Sequence, residues 1–436
     1  MTAPVDHLSA SHWFLTARET FTAAKLSEDI SADVAIVGGG VLGLSAALQL
    51  AEGGASVAVL EADCIAAGGS GRNGGLVVPS LPRVSPQKAV AALGEHGARL
   101  LKLLIGGGDT VFRLIETHGI ACDAVQSGWL NPAHGGSVVP DLKARFAAWR
   151  GAGAAVEWLD REATARAVGC DKYYAAIRDP TGGHLNPVSY ARGLARATVA
   201  AGGKVFEESP VTTVERIGEH WRLTTPQGTV RAGELLQATN GQRPGLSGPD
   251  ARATLPLIVY QMATEPLPQE ARDTVLPGGE ALSDTRQHLF AIRWTADGRI
   301  GIGGMLPITH ARGVHRVTRT AERRLGTMFP VLEGVRIERV WRGRVTLTGD
   351  FLPKLFDLGP DRLAAIGCNG RGLVMGTVLG QAIAQTLLDP SVPLPVAPQQ
   401  PTAITARPIV QRLPELLLPA AFIADRLSER TKEPQP

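Results

Sequence analysis

The segment Asp33–Gly43 is the part of this sequence that most constrains the fold. It reads DVAIVGGGVLG, a short apolar run followed by three glycines in the spacing G-x-G-x-x-G, Gly38, Gly40 and Gly43. The run predicts a buried parallel strand from Asp33 to Val37, and residues 41–51 predict a helix. A strand, a glycine turn and a helix in this order are typical of the phosphate-binding turn of a dinucleotide-binding unit.

Each glycine of this turn has a physical reason. Gly38 allows the tight turn, Gly40 lets a pyrophosphate approach the backbone, and Gly43 lets the helix pack closely on the strand. Val41 and Leu42 open the helix, whose exposed N–H groups and positive end attract phosphates.

An acidic residue ends the next apolar run, residues 56–60. Glu61 stands eighteen residues after Gly43, where a carboxylate accepts hydrogen bonds from the hydroxyls of a ribose. A carboxylate here also disfavours NADP, because it would repel the 2′-phosphate. The combination predicts a dinucleotide with a free ribose.

Length and charge limit the classes of function. The 436 residues predict two domains, and the net charge of +3 gives no argument for a nucleic-acid partner or an anionic membrane. The four cysteines are far apart, so we expect neither a disulfide framework nor a metal site. We see no signal peptide and no apolar stretch of the ~18 residues that a membrane span needs, and we therefore expect a cytoplasmic protein.

The order of predicted elements indicates an α/β fold (α+β overall). The α/β pattern opens the chain, returns in the middle and closes it, while strand-like segments dominate from about residue 250 to 335. This favours a Rossmann-like nucleotide-binding domain that is discontinuous in sequence, with an inserted antiparallel or mixed β-sheet substrate domain. The nucleotide-binding domain is predicted at 28–85, 180–250 and 336–395, the substrate domain at 86–179 and 251–335, and a C-terminal amphipathic tail at 396–436.

The individual elements follow from periodicity and turn residues. Helices are predicted at 88–118 with a glycine interruption at 106–108, and at 142–149, 186–201, 317–328 and 373–388. Strands are predicted at 204–206, 211–216, 221–225, 229–232, 235–238, 257–263, 288–294, 299–303 and 363–366.

The tail from Ile409 to Arg430 carries apolar residues at helical spacing. One interpretation is a helix that packs on the body of the protein. The other is an interfacial helix on a membrane. Pro414 and Pro419 are expected to break the helix in either case.

Several further motifs resemble the FAD-dependent D-amino acid oxidase-like (DAO) family, which includes glycine oxidase, sarcosine oxidase and D-amino acid dehydrogenase. Within it the chain looks most like the γ-glutamylputrescine oxidoreductase branch, above all at SGRNGG, residues 70–75. The likeness extends over about residues 8–390. The other segments that carry it are 182–187, 238–241, 264–267, 297–304 and 367–372.

The resemblance implies FAD bound in an extended pose, with Gly38, Gly40 and Gly43 facing the pyrophosphate and Glu61 the adenosine ribose. Ser70, Arg72, Asn73 and Gly74 would line the pyrophosphate and flavin side, Val211 would meet the adenine edge, and Thr239, Asn240 and Gly241 would end the second flavin-domain strand. Gly370, Arg371, Gly372 and Leu373 would approach the isoalloxazine. A guanidinium at Arg72 suits a diphosphate, although a surface ion pair is its simpler explanation. The segment 367–372 could likewise be an ordinary strand-to-helix turn.

The chemistry that the resemblance implies is oxidation of a C–N bond. A carbon next to an amine nitrogen loses hydride to flavin N5, and the resulting imine is hydrolysed to an aldehyde or keto acid plus an amine. FAD carries this chemistry while the protein positions it. Secondary amines, N-methyl amino acids, D-amino acids and ω-amino compounds all suit the family.

Two departures from the family bear on the reaction. Residues 341–350 contain no cysteine of the kind that some relatives link to flavin, so we expect non-covalent FAD. Residues 251–330 contain no lysine, whereas sarcosine oxidase relatives use one near the flavin to speed reaction with oxygen. The electron acceptor, O2 or another molecule, therefore stays open.

The candidate catalytic residues are Arg293, Tyr260, Trp341 and Arg371. Arg293 could clamp a substrate carboxylate from one face of the inserted sheet, or lie on a solvated strand face. Tyr260 or its neighbour Gln261 could hydrogen-bond substrate, or be sheet residues with polar tips. Trp341 could border the flavin, and no metal site is expected.

Two alternatives to a small-molecule amine or amino-acid oxidoreductase remain. The tail motivates a membrane-associated dehydrogenase that donates electrons to quinone, with peripheral membrane contact. The missing lysine motivates an accessory flavoprotein within a larger complex.

Overall fold

A computed structural model describes residues 11–240, 249–304, 313–410 and 413–430. In this part of the chain the strands are β1 (Ile30–Val37), β2 (Val57–Leu60), β3 (Leu76–Val77), β4 (Trp129–Pro132), β5 (Glu157–Leu159), β6 (Ala176–Asp179), β7 (Gly183–His184), β8 (Lys204–Phe206), β9 (Thr213–Ile217), β10 (His220–Thr224), β11 (Thr229–Gln237), β12 (Leu255–Thr264), β13 (Ala281–Ser283), β14 (Phe290–Trp294), β15 (Ile300–Gly304), β16 (Ile337–Leu347), β17 (Lys354–Asp357), β18 (Arg362–Ile366) and β19 (Pro398–Gln399).

The helices of the same ranges are α1 (His12–Leu15), α2 (Val41–Glu52), α3 (Pro86–Leu93), α4 (Glu95–Ile105), α5 (Gly107–Thr117), α6 (Val139–Gly151), α7 (Arg161–Val168), α8 (Pro187–Ala200), α9 (Pro249–Arg252), α10 (Gln269–Thr274), α11 (Gly313–Met328), α12 (Gly372–Leu388), α13 (Arg407–Val410) and α14 (Leu413–Arg430). Short 3-10 turns occur at Gly69–Gly71, Gly136–Val138 and Pro330–Leu332.

The first sheet has the strand order β19-β17-β18-β11-β1-β2-β8, with β10 and β9 continuing from β11. The central strands β18, β11, β1, β2 and β8 run parallel. All four residues of β2 and the last four of β1 are buried, as expected for parallel strands covered on both faces. This is the Rossmann-like sheet that the glycine turn predicts.

The second sheet has the order β16-β12-β15-β14-β13-β4-β6-β5 and is mostly antiparallel. In the chain, β4 comes before the strands β8–β11 of the first sheet and β13 comes after them. These two strands form a parallel pair within the second sheet, and they join its two segments. The α/β fold with an inserted mixed sheet is therefore confirmed.

Pairing changes one boundary of the expected domain division. Strand β16 pairs with β12 along its whole length, from Leu255–Leu347 to Thr264–Ile337. Residues 337–347 therefore lie in the second sheet and not, as expected, with the nucleotide-binding part. The division into domains otherwise stays a prediction.

Local signals placed most elements correctly. Asn186 caps α8 by accepting hydrogen bonds from the N–H groups of Val188 and Ser189, as the Asn-Pro pair predicts. Several expectations were wrong in detail: the helix predicted at 88–118 is three helices, α3, α4 and α5. Residues 229–232 and 235–237 belong to one strand, β11, because the pairing with β1 keeps the same register on both sides of Gly233. Strand β14 starts at Phe290 and not at His288, since Leu289 adopts a left-handed backbone with φ +54°.

The C-terminal helix α14 is continuous from Leu413 to Arg430. The expected break at its prolines was wrong. Pro414 falls in the first turn, where an N–H has no partner within a helix, and the helix continues through Pro419. Among the described residues, no helix is both long and apolar enough to cross a bilayer.

Candidate active site

One cavity of about 1130 Å³ lies between the two sheets. Its floor is the glycine turn, the 69–75 loop and the 367–373 turn, and its opposite wall is the second sheet. This volume exceeds the ~300–1,000 Å³ of a typical single-ligand pocket. The cavity therefore has room for a dinucleotide together with a small substrate.

The glycine turn forms the phosphate end of this cavity. Gly38 has φ +114°, and a Cβ there would lie 2.9 Å from the carbonyl oxygen of Ala238. A Cβ at Gly40 would lie 2.9 Å from the Ser70 hydroxyl. This hydroxyl accepts a hydrogen bond from the N–H of Val41 at 3.0 Å. Gly40, Val41 and Leu42 line the cavity at the positive end of α2. Gly43 lies behind the lining and packs against Gly38 and Ile36, so it serves helix packing and does not face the cavity.

Glu61 lies where the ribose is expected. Its carboxylate accepts hydrogen bonds from the N–H groups of Gly39 at 2.7 Å and Asp63 at 3.0 Å. Burial raises the pKa of Glu61 above its usual value, against the effect of these two hydrogen bonds. The carboxylate is thus fixed in place at the cavity wall, a position suited to bind ribose hydroxyls.

The 69–75 loop covers the centre of the cavity. The Arg72 guanidinium donates to the carbonyl oxygens of Ala67 at 3.1 Å and Arg342 at 3.3 Å. The Asn73 amide donates to the carbonyls of Gly69 and Ser70. Ser70, Arg72, Asn73 and Gly74 all line the cavity. Asn73 braces the loop, and Arg72 is held by carbonyl oxygens with its guanidinium at the cavity wall.

The 367–372 turn forms the other end of the cavity. Gly367 and Gly370 have φ +91° and +89°, which favours glycine. Gly370, Arg371, Gly372 and Leu373 line the cavity where α12 begins, so a second positive helix end faces it.

The remaining cofactor candidates lie between these two ends. Val211, Thr239 and Asn240 line the cavity, while Gly241 is outside the described residues. Two glycine-bounded helix ends, a fixed carboxylate and a loop arginine fit a dinucleotide bound in an extended pose.

Cys368 also lines the cavity, after the closing strand β18. Burial raises the pKa of its thiol, which keeps the thiol protonated and a poor nucleophile. Among the described lining residues there is no lysine.

Arg293 is not placed as a substrate ligand, contrary to expectation. It is 2% exposed and absent from the cavity wall. Its guanidinium donates to the carbonyl oxygens of Gly74 and Leu185, each at 2.9 Å, and lies 4.3 Å from the ring centre of Trp13. Its donors are taken up by carbonyl oxygens, and the bond to Gly74 holds the 69–75 loop on the second sheet.

Trp341 shares this supporting role. Its side chain is fully buried and its indole N–H donates to the carbonyl oxygen of Arg72 at 3.2 Å. Trp13 donates likewise to the carbonyl of Asn73 at 2.6 Å. The expectation that Trp341 borders the flavin is corrected: it braces the loop from below and is not part of the lining.

Tyr260 lies on the wrong face of β12 for the role expected of it. Side chains alternate along a strand, and Leu257, Val259 and Gln261 face the cavity while Tyr260 packs against the core on the other side of the sheet. Of the two neighbours, Gln261 is therefore the one that can reach a substrate.

Arg145 and Arg371 are two of the arginines that line the cavity. Arg371 lies 5.3 Å from the ring centre of Trp129, and its Nε has no hydrogen-bond partner among the described residues. Burial, followed by the positive charge of Arg145, lowers the pKa of Arg371 to about 9. Burial lowers the pKa of Arg145 to about 10. No ion pair to a described carboxylate is formed by either guanidinium.

Arg145 was not singled out from the sequence. On α6 it follows Asp141 by one turn, and both line the cavity together with Leu142. The only sequence signal was this spacing of one turn on a weakly amphipathic helix, which does not distinguish Arg145 from other surface arginines.

Comparisons with known proteins agree with this site. The family model "FAD dependent oxidoreductase" (DAO) matches residues 33–386. The chain is 32% identical to gamma-glutamylputrescine oxidoreductase of Escherichia coli (strain K12) over 88% of this chain and 89% of that protein. It is 25% identical to glycine oxidase of Geobacillus kaustophilus over 81% of this chain and 92% of that protein.

Solved structures show the same fold. The crystal structure of glycine oxidase from Geobacillus kaustophilus superposes with a TM-score of 0.66 at 21% identity, covering 83% of this chain and 95% of that one. L-proline dehydrogenase from P. horikoshii gives a TM-score of 0.66 at 19% identity, covering 85% and 95%. The predictions of an FAD cofactor and of an oxidoreductase of amines or amino acids are thereby confirmed. This chain belongs to the DAO family of FAD-dependent oxidoreductases.

Proposed function

We propose that this enzyme oxidises the C–N bond of an amine that also carries a carboxylate. The observation that supports this most directly is the continuous cavity, in which the glycine turn and the 367–373 turn share a lining with a wall of the second sheet and with Arg145 and Arg371. A substrate bound beside Arg145 and Arg371 would therefore lie next to one end of an extended dinucleotide.

FAD held by the glycine turn, Glu61 and the 367–373 turn would supply the acceptor for a hydride from the substrate carbon next to nitrogen. The proton of the substrate nitrogen would pass to solvent, and water would then hydrolyse the resulting imine to a carbonyl compound plus an amine or ammonia. The residues of this chain bind and orient the substrate. The apolar wall formed by Leu257, Val259 and Ala291 limits water, and the Gln261 amide can hydrogen-bond the substrate.

Arg145 and Arg371 are the reason for proposing a carboxylate on the substrate. Burial and, second to it, the positive charge of Arg145 lower the pKa of Arg371, so the two guanidiniums repel each other within the cavity. An anionic group placed between them would offset that repulsion and satisfy the Nε of Arg371. Guanidiniums bind carboxylates by paired, charge-assisted hydrogen bonds.

An anaerobic amine panel tests the proposal. Each amine would be supplied in two forms, with a free carboxylate and with the same group as a primary amide, and reduction would be followed by loss of flavin absorbance. We expect the carboxylate form to reduce the flavin at much lower concentration. Arg371→Gln and Arg145→Gln should each raise the KM of the carboxylate form by about 10–100-fold, the equivalent of ~1.5–3 kcal/mol for a hydrogen bond to a charged group.

A matched control lies on the same helix. Arg150 is exposed and lies over the ring of Phe146, so Arg150→Gln should behave like the parent. If carboxylate and amide forms reduce the flavin equally, the anionic part of the proposal is wrong and C–N oxidation stands. If no amine bleaches the flavin, C–N oxidation itself is wrong and an accessory flavoprotein is favoured.

Electron transfer to a quinone at a membrane surface is a second candidate. It is favoured by three exposed apolar side chains of the C-terminal segment, Ile409, Ile423 and Leu427, which are 61–68% exposed. Co-flotation with liposomes, and faster reduction of a quinone than of oxygen by the amine-reduced enzyme, would support it. Absence of flotation would count against it.

A further inference from the structure

The C-terminal helix α14 holds a loop of the cavity wall through buried polar contacts. The loop, residues 284–289, connects β13 to β14. The Asp425 carboxylate is 2% exposed and accepts hydrogen bonds from the N–H groups of Gln287 at 3.0 Å and His288 at 3.3 Å. It also accepts from Nδ1 of His288. One side chain of the helix thus satisfies three donors of the loop.

Two further residues of α14 contact the same loop. The Glu429 carboxylate accepts a hydrogen bond from Nε of Arg286 at 2.9 Å. The ring of Phe422 stacks on that of His288, with ring centres 3.9 Å apart and planes inclined by 18°. These contacts are spaced along the helix by three or four residues, so they share one face.

The loop is held from the body side as well. Arg324 of α11 donates to Nε2 of His288 at 2.7 Å, which leaves the proton of the ring on Nδ1, facing Asp425. Arg286 pairs with Asp284, which accepts a hydrogen bond from the hydroxyl of Tyr173. The loop is therefore fixed between the protein body and α14.

This loop is part of the cavity lining. Residues 284–287 and Leu289 border the cavity, and so does Ala421 of α14 itself. Leu289 has φ +54°, a left-handed conformation that is strained for a branched side chain. Such a conformation persists where neighbouring contacts hold it, and here those neighbours include Asp425 and Phe422.

We infer that α14 forms the outer wall of the cavity at the 284–289 loop, where it would border a bound substrate, and that Asp425 is the residue that positions this wall. The helix lies beyond the residues matched by the family model, 33–386. It is thus an element that adjusts the size of the cavity on a shared fold. The role of α14 in substrate selection rests on the proposed C–N oxidation, whereas its role as a wall of the cavity requires only bound FAD.

The full-length holoenzyme provides the first test. Iodide quenching of the fluorescence of bound flavin reports how open the cavity is to solvent. Asp425→Ala is expected to raise the quenching constant at least ~3-fold, with flavin content unchanged, because three donors lose their acceptor and the loop loosens. Asp425→Asn keeps one acceptor oxygen and should give an intermediate value.

The control lies on the outer face of the same helix. Leu427 is 61% exposed, so Leu427→Ala should match the parent in quenching and in substrate binding. A second measurement uses the most effective amine of the panel and a bulkier homologue of it. Asp425→Ala should raise the KM of the first several-fold with little change in kcat, and should reduce the preference over the second.

Each outcome decides between alternatives. Equal quenching in Asp425→Ala and the parent would overturn the inference. Increased quenching with unchanged KM values would leave α14 as a cover of the cavity and refute its role in substrate selection. If Asp425→Ala fails to fold, Phe422→Ala and Glu429→Gln test the same wall, and parent-like quenching in both would refute it. Failure of every amine to reduce the flavin would refute the proposed function without affecting the quenching result.

Discussion

The Nε of Arg293 donates a hydrogen bond to the carbonyl oxygen of Gly74 at 2.9 Å. This contact joins β14 of the second sheet to the 69–75 loop, which lines the centre of the cavity. Burial lowers the pKa of Arg293 to about 9, against the opposing effect of Asp123 and Asp297. A buried charge of this kind is tolerated because its donors meet carbonyl oxygens.

Replacing Arg293 should therefore disturb folding and FAD binding before it affects substrate. We expect Arg293→Lys to lower the free energy of unfolding by about 3–5 kcal/mol, since a single ammonium cannot reach all the carbonyls that the guanidinium serves. Thermal unfolding and the flavin-to-protein absorbance ratio measure the effect. Arg339→Lys, an exposed position on β16, is the control. A stable, flavin-replete Arg293→Lys with a raised KM would instead favour a substrate ligand.

His184 predicts a pH dependence of stability. Burial, then the positive charge of Arg293, lowers the pKa of this imidazole to about 3 from 6.5. Below pH ~6.5 the unfolded state takes up a proton that the folded state does not, so stability is lost as pH falls, by up to ~1.4 kcal/mol per pH unit from this group. Urea unfolding at pH 7, 6 and 5 should show a steeper decline for the parent than for His184→Gln. Parallel declines would contradict the prediction.

Glu61 should contribute to FAD affinity. Its carboxylate lies fixed at the cavity wall by the N–H groups of Gly39 and Asp63. Glu61→Gln keeps one acceptor oxygen, and we expect FAD affinity to fall by about 10–100-fold, corresponding to ~1.5–3 kcal/mol. Titration of apoprotein with FAD, followed by flavin fluorescence, gives the dissociation constant. Glu52→Gln, an exposed residue at the end of α2, should retain parental affinity.

Gln261 and Tyr260 are adjacent on β12, and we expect opposite effects on KM when each is replaced. Gln261 faces the cavity and Tyr260 the opposite core. Gln261→Leu should raise the KM for amine several-fold by removing a polar contact, consistent with about 0.5–1.5 kcal/mol for a neutral hydrogen bond. Tyr260→Phe should leave KM unchanged. A reversal of these two results would show that the strand register differs from the one described.

Local patterns were reliable where the physical cause is local. The strand, glycine turn and helix from Ile30 to Glu52 follow from an apolar run and from glycines that remove a steric clash. The N-cap of α8 at Asn186 was equally clear. Strand alternation from Leu257 to Ala263 was visible too, although it could not say which face meets the cavity.

The roles of single polar residues depended on distant contacts. Arg293 looked like a ligand because a charged residue stood in an apolar strand, yet its partners Gly74 and Leu185 are over one hundred positions away in sequence. Arg145 gave no signal, because its importance comes from lining the same cavity as Arg371 and acting on its charge. The periodicity of the sequence does not predict that two residues so far apart in the chain lie in one cavity.

By itself the sequence determined that this protein binds a dinucleotide at a glycine turn, and its motifs resembled those of one family closely enough to predict FAD and amine oxidation. Those features are short, because the interactions that determine them form between residues close together in the sequence. Only the tertiary structure decided which arginine faces the cavity, which tryptophans support the loop, and that α14 packs on the cavity wall. Burial and charge pairing arise from residues brought together by folding, so the same side chain can be a ligand or a brace according to what surrounds it.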